Sequence, residues 1–490
     1  MATTDQNSTA TTITEKPLSL WTRIGYGLGD IFGGGSGVII SFYYLIFLTD
    51  VVRISPSLAG TVILISKIYD SITDPFEGIL CDRTRTFLGR RRPYLLVGIP
   101  LIFLSFFALF YPYSMESESA RFTAVVLSYL FFSTVVSIVM LNYNALHSEI
   151  TLDYHERSRL SSIRIFFSTV ASILAALLPL EIVRAFADVR TGYIVMAAGF
   201  GLFFALPFIA TVAAVRERSE FQKPPRPFNW REAFLTPFQN RTFVYTLAMY
   251  LFAFVAIDAV STIVAYFIKY YLQRSGEVSF VNGTLLIAQV VSLPFYVRLS
   301  QKLGKVRGYI IGLILWAATM LFSWLIGPQS ARLWVYIFAA FVGLGTGGIV
   351  VMIYAIFPDI PDVDELGSGQ RREAIYSALV TFIRKLSSAV AIFAVSQVLE
   401  WAGYIPPIQE SLNGGMRLIE QPQSPTFLLA LRLIFMLLPL VLLGLALIFA
   451  LRFPLTPALH QRLNGLLARQ RAGLPVDESE KQVLVKTLLG

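Results

Sequence analysis

Lys67, Asp70, Asp74 and Glu77 recur at helical spacing inside one membrane-length stretch, KIYDSITDPFEGILCDRTRTFLGRRRPY, which then ends in a dense basic run. At 100° per residue the four fall in a stripe roughly 80° wide, so one face is ionisable and the rest apolar. A charge at a bilayer centre costs about 2.5 to 3.5 kcal/mol on insertion scales, and four facing lipid would cost on the order of 10 kcal/mol. They must face a bundle interior or a wet cavity. Two carboxylates four residues apart offer hard oxygen ligands to Na⁺. Crowded at low dielectric, they can instead hold a proton. The same spacing also suits a structural cluster in which Lys67 neutralises a carboxylate. Pro75 frees a backbone carbonyl in the preceding turn, available to bend the helix or to add a ligand.

The elements that must position this stripe follow from composition. Of 490 residues 55% are hydrophobic and only 14% charged, with a mean hydropathy of +0.64, which specifies an all-α polytopic membrane protein. Apolar runs long enough to cross about 30 Å number about twelve. They start near Arg23, Leu58, Leu95, Ala124, Ser161, Tyr193, Phe243, Phe280, Tyr309, Val335, Ala374 and Phe427. An even count puts both termini on one side. Arg83, Arg85, Arg90, Arg91 and Arg92 follow the second span, Arg157 and Arg159 the fourth, and Lys302, Lys305 and Arg307 the eighth; by the positive-inside rule these loops and both termini are cytoplasmic, in a cell membrane. The net charge of +9 is thereby explained by topology, and no nucleic-acid partner is expected. The polar, Thr-rich first nineteen residues lack the pattern of a cleavable signal, so the first span is expected to target the chain. Cys81 is the one cysteine, which excludes an intrachain disulfide, and no metal cluster or other cofactor is expected beyond the coupling ion. No nucleophile-and-base motif of an enzyme is present.

The chain divides into a polar N-terminus (1–22), a six-helix half (23–215), a linker (216–242) carrying Pro224, Pro225 and Pro227, a second half (243–452) and a tail (453–490). In the tail, Leu459, Leu463, Leu466 and Leu467 share a helical face opposite Arg462, Arg469 and Arg471, the pattern of a surface-lying membrane anchor. Gly25, Gly29, Gly33 and Gly37 form a side-chain-free stripe in the first span, as Gly343, Gly345, Gly347 and Gly348 do in the tenth; close helix packing is the expected use. Asp30 lies amid the first stripe and is a candidate for ion or substrate binding.

The run YDSITDPFEGILCDRTRTFLGRRRPY resembles the second-span signature of the glycoside-pentoside-hexuronide:cation symporters, the melibiose permease family of the major facilitator superfamily. TLDYHERSRLSSIR after the fourth span and DVDELGSGQRREAIYSALVTFIRK entering the eleventh extend the resemblance across both halves. It implies two pseudo-symmetric halves around a central cavity that opens alternately to either side. By the resemblance, Asp70 and Asp74 are paired cation-binding aspartates, Lys385 is the eleventh-span lysine near them, and Arg164 matches an arginine of the fifth span. A lysine or arginine approaching these carboxylates favours their ionised form and competes with Na⁺; Lys67, Arg164 and Lys385 are the expected charge partners. Asp82, Arg83, Arg90 and Arg91 are read as a cytoplasmic gate, with Asp359, Asp362, Asp364, Arg371 and Arg372 as its opposing network.

The sugar half of the family pattern differs. The positions of aspartates that contact sugar hydroxyls in melibiose permeases are here Gly34 and Met140, and a nearby aromatic position is Asn144. Asp30, Asn142, Tyr143, Asn144 and Asp258 remain as expected substrate contacts, since amides and carboxylates bind hydroxyl pairs and Tyr packs a sugar face. The expected function is symport of a glycoside, pentoside or hexuronide with Na⁺ or H⁺. The alternatives are a cation-coupled lysophospholipid carrier, which the wider family includes, and a membrane solute sensor that does not transport. The bilayer and a small solute are the implied partners; oligomeric state is not encoded in these motifs.

Overall fold

The computed structural model describes residues 18–151, 153–217, 236–369, 372–412, 415–472 and 474–489. Most of the N-terminal stretch, the proline-bearing centre of the linker, Arg371 and the Asp82 side chain lie outside the described residues. The first half is built from α1 (Leu20–Val52), α2 (Pro56–Arg83), α3 (Arg92–Leu109), α4 (Glu118–Ile150), α5 (Tyr154–Arg184) and α6 (Val189–Ala214). The second is α7 (Arg241–Tyr271), α8 (Val278–Leu303), α9 (Lys305–Phe322), α10 (Arg332–Ser368), α11 (Glu373–Trp401) and α12 (Pro425–Leu451). Several begin a turn or two before the apolar windows, α4 at Glu118 and α5 at Tyr154, because polar first turns extend the helices beyond the hydrocarbon layer.

Eleven spans among the described residues are long and apolar enough to cross a membrane. The twelfth long helix, α2, carries the charged stripe; at 28 residues it is about 42 Å long. Ile68, Ile72, Phe76 and Ile79 are exposed on its outer face, while Asp70 and Glu77 are buried on the other. Lipid-facing and interior faces are thus separated on one helix. Pro75 lies within it, and the helix continues through.

Within α1, Ile40–Tyr44 and Leu48–Val52 are π-helical turns, and α7 ends in a third, Phe267–Tyr271. The halves meet along α2 and α11 and along α5 and α8, and α1 reaches α7 through the Ile40–Tyr44 turn rather than through its first turns. A Cβ on Gly345 of α10 would lie 2.9 Å from the Trp316 backbone nitrogen of α9, which shows how closely small residues bring these backbones together. The α1 glycines divide. Gly25 and Gly29 are pressed against α6 and α4, and a Cβ on Gly33 would meet the Met140 side chain of α4 at 2.5 Å, whereas Gly37 has open space before it.

Between α11 and α12 a hairpin, β1 (Ile408–Leu412) paired antiparallel with β2 (Gly415–Ile419), lies across the end of the first half. The Met416 N–H donates to Asp188 at 3.0 Å, and hydrogen bonds led by the Thr191 side chain hold that carboxyl below its usual range. The tail forms α13 (Pro457–Arg471) and α14 (Glu478–Leu488). The membrane-anchor expectation is corrected here: Leu463, Leu466 and Leu467 are buried against Val363 and Leu366 of α10 and Leu484 and Leu488 of α14. Arg471 reinforces the docking with an ion pair to Glu365 at 2.5 Å. The amphipathic face is real, but protein covers it.

Candidate functional site

At mid-depth, α2, α4 and α11 converge. Lys385 of α11 places Nζ 2.6 Å from Asp74 Oδ2 and 3.9 Å from Asp70 Oδ2, so an ammonium from one half stands between two carboxylates of the other. Lys67 Nζ approaches Asp70 at 3.5 Å and lies 6.0 Å from the Tyr129 ring. From α4, Ser133 donates to Asp70 and Ser137 Oγ donates to Asp74 Oδ1 at 2.8 Å. Asp70 is 5% exposed at its side chain and Asp74 32%, so Asp74 is the carboxylate a solvated ion meets first. Thr73 Oγ1 and Glu77 Oε2 are buried with no hydrogen-bond partner. With the two carboxylates, these oxygens make an acceptor-rich cluster that favours a cation.

Each half also holds a guanidinium–carboxylate pair. Arg164 of α5 reaches Asp30 of α1 at 3.0 Å and lies over the Tyr143 ring at 5.2 Å. Arg384 of α11 grips Asp258 of α7 through both terminal nitrogens, at 2.5 and 3.2 Å, and lies over the Phe254 ring at 5.0 Å. The Arg164 and Arg384 side chains are 27% and 23% exposed, enough for a solute to reach their outer donors. Asp258 is within electrostatic reach of Lys67, which ties the second pair to the carboxylate centre. Arg384 was not singled out from the sequence; its signal was its place beside Lys385 in TFIRK. At Gly34, a Cβ would lie 2.5 Å from the Ser168 carbonyl oxygen of α5. α1 and α5 pack too closely there for an aspartate, and Asp30, one turn earlier, supplies the α1 carboxylate.

The remaining expected substrate residues separate. Asn144 is exposed. Tyr143 is fully buried, stacked on Tyr26 with Arg164 over its ring, and donates to the Tyr26 carbonyl at 2.7 Å. Asn142 is buried and engaged: its amide nitrogen donates to Ile138 O and Cys81 Sγ at 2.8 and 3.0 Å, and its oxygen accepts from Arg91 at 3.4 Å. Its place is therefore with the basic loops rather than beside Asp70, a correction to its reading as a sugar ligand.

Residues 25–457 match the family described as MFS/sugar transport protein. The chain belongs to that family. An uncharacterized symporter of Synechocystis sp. is 29% identical over 94% of this chain and 98% of its own length. An isoprimeverose transporter of Lactiplantibacillus pentosus is 25% identical, covering 78% and 80%, and a sodium-dependent lysophosphatidylcholine symporter 1-A of Danio rerio is 23% identical, covering 87% of each. Among solved structures, the nucleoside transporter NupG superposes with a TM-score of 0.55 at 14% identity, over 89% of this chain and 97% of its own. This protein is thus a multi-pass transporter of the MFS fold, related to symporters and not an enzyme.

In this MFS transporter the halves lock together at the end opposite the basic loops. Asp50, 2% exposed, accepts from Lys269 Nζ at 2.6 Å, from Tyr270 at 2.7 Å and from the Tyr404 hydroxyl. Thr49 Oγ1 also bonds Asp50, at 2.8 Å, and meets Tyr266 at 2.7 Å. Gln409 of β1 donates to the Val51 carbonyl at 3.0 Å. None of these residues was identified from the sequence, although Asp50 and Lys269 each close an apolar run. At the basic end, Arg90 and Arg91 reach Glu149 at 2.6 and 3.5 Å within the first half. Arg372 grips Asp364 at 2.6 Å within the second. Arg83 is exposed. These pairs join parts of one half, and among the described residues α1 packs on α7 through Ile40–Phe47, toward Asp50 rather than toward the basic end.

Proposed function

We propose that this transporter is a Na⁺-coupled glycoside symporter of the cell membrane, with both termini cytoplasmic, captured with its outer end closed and its cytoplasmic side open. The observation that carries the proposal is Lys385: a cation of the second half occupies the carboxylate pair of the first. Na⁺ entering at Asp74 competes with that ammonium, and the Ser137 and Thr73 hydroxyl oxygens complete a hard oxygen set. Releasing Lys385 loosens α11 from α2, so ion arrival changes how the halves pack. The substrate lies between the Asp30–Arg164 and Asp258–Arg384 pairs, whose carboxylates and guanidiniums bind vicinal hydroxyls. The isoprimeverose relative supports a glycoside.

The test is uptake of labelled glycosides, pentosides, hexuronides and lysophospholipids into proteoliposomes under imposed Na⁺ or H⁺ gradients, with Asp74→Asn as control. Concentrative, Na⁺-dependent uptake of one glycoside is expected, falling to background in Asp74→Asn. Undiminished accumulation in the variant overturns the ion assignment, and uptake of lysophospholipid alone overturns the substrate.

A further inference from the structure

A cavity of about 510 Å³ opens at the basic end, apart from the carboxylate centre. Three parts of the second half meet there: the end of α8 and the start of α9 from Ser300 to Arg307, the α10 region at Ile356 and Asp359, and the α12–α13 junction from Phe453 to Gln461. Val306, Ile356, Phe453 and Leu455 give it an apolar lining, and Lys302, Lys305, Arg307 and His460 a cationic one. The single lining carboxylate is already taken. Asp359 holds Lys305 at 2.7 Å, and His460 Nε2 stands 3.5 Å from its other oxygen. Lys302 and Arg307 are exposed and have no ion-pair partner among the described residues. Gly304, at φ 89°, turns the chain into α9 without a capping side chain, so the first N–H groups of that helix add positive potential to the same wall.

A free soluble anion would need the cations alone. The apolar lining beside the cations, at the ends of the membrane-length helices α8, α9 and α12, suits an amphipathic ligand. Leu303, 39% exposed, borders it. We propose that this cavity binds the phosphate headgroup of an anionic phospholipid. Lys302 and Arg307 hold the phosphate, and the glycerol portion rests on Phe453 and Leu455. Because His460 belongs to α13 and Lys302 and Arg307 to the α8–α9 region, the lipid fastens the docked tail to the transmembrane bundle. The site is independent of which solute the transporter carries.

The experiment uses the purified full chain in a neutral detergent, with thermal unfolding and native mass spectrometry read against added phosphatidylglycerol, phosphatidylcholine or inorganic phosphate. Phosphatidylglycerol is expected to raise the unfolding temperature, phosphatidylcholine to have no such effect, and Lys302→Gln/Arg307→Gln to weaken the phosphatidylglycerol response about 30-fold. Lys302→Arg/Arg307→Lys retains it. If the double variant does not purify, Lys302→Gln and Arg307→Gln singly are each expected to weaken it about fivefold. An identical phosphatidylglycerol titration in wild type and charge-loss variants overturns the site. A phosphate response equal to the lipid response and lost in the variants overturns the lipid, leaving a soluble phosphate as ligand.

Discussion

Without the Lys385 ammonium, Asp70 and Asp74 would confront each other across one helical turn with only Lys67 in reach. Removing one partner of a fully buried ion pair costs about 3–5 kcal/mol, because the remaining charge is uncompensated, and the cost is smaller here because Asp74 is 32% exposed and solvent screens it. A bound cation relieves that cost. Lys385→Ala is therefore expected to lower the half-saturating Na⁺ concentration by about tenfold or more, read from Na⁺-dependent thermal stabilisation; an unchanged titration would make the lysine a structural neutraliser only. That Asp70 and Asp74 turn toward the bundle interior and meet lysines was legible in the sequence, because charge inside an apolar run is too costly to face lipid. Arg384 was not, because its partner Asp258 lies 126 residues away and local spacing carries no trace of such a pairing. Asn142 was misplaced for a related reason. α4 is polar on more than one side near its end, and only packing shows that its amide turns toward Cys81 and Arg91.

Among elements, α13 separates pattern from environment. Leucines at helical spacing opposite arginines specify an amphipathic helix but not what covers it, and a bilayer surface and a protein groove select the same face. Here the cover is α10 and α14. Leu466, 3% exposed, is expected to destabilise tail docking by about 2–5 kcal/mol when cut to Ala, read as protease cleavage within 453–489 at lower temperature than wild type. Loss of vesicle association without any change in cleavage would restore the anchor reading. α14 and the β1–β2 hairpin were not foreseen, since short polar elements are stabilised by docking rather than by periodicity. The twelve long helices were legible because the bilayer fixes their length. Their π-helical turns were not, as the extra residue leaves the apolar pattern of α1 and α7 almost intact. Those turns carry Asp50, Lys269 and Tyr270, so local widening of the helix aims the groups that close the end opposite the basic loops.

For the whole molecule, alternating access requires that the Asp50 end open while the basic end closes. Asp50 meets Lys269, Tyr270 and Tyr404 from the other half, so opening must break all three contacts and rehydrate a buried carboxylate. This lock favours the conformation seen here, and its removal shifts the population outward. Asp50→Asn combined with Lys269→Met leaves no lone buried charge, and avoids the misfolding expected of either charge left alone. With a reporter cysteine at Ala265, which is buried beneath the lock, labelling by a membrane-impermeant maleimide from the outer side is expected to rise about tenfold or more in the double variant. Lys269→Arg, which keeps the charge, should label like wild type. Because the lock and the Lys385 pair bridge the same two halves at different depths, Na⁺ should still modulate labelling in the double variant, whereas loss of Na⁺ sensitivity there would mean that the ion acts through Asp50 rather than through Asp70 and Asp74. Equal labelling in all forms would show that the hairpin and the α1–α7 packing hold the Asp50 end shut without the ion pair.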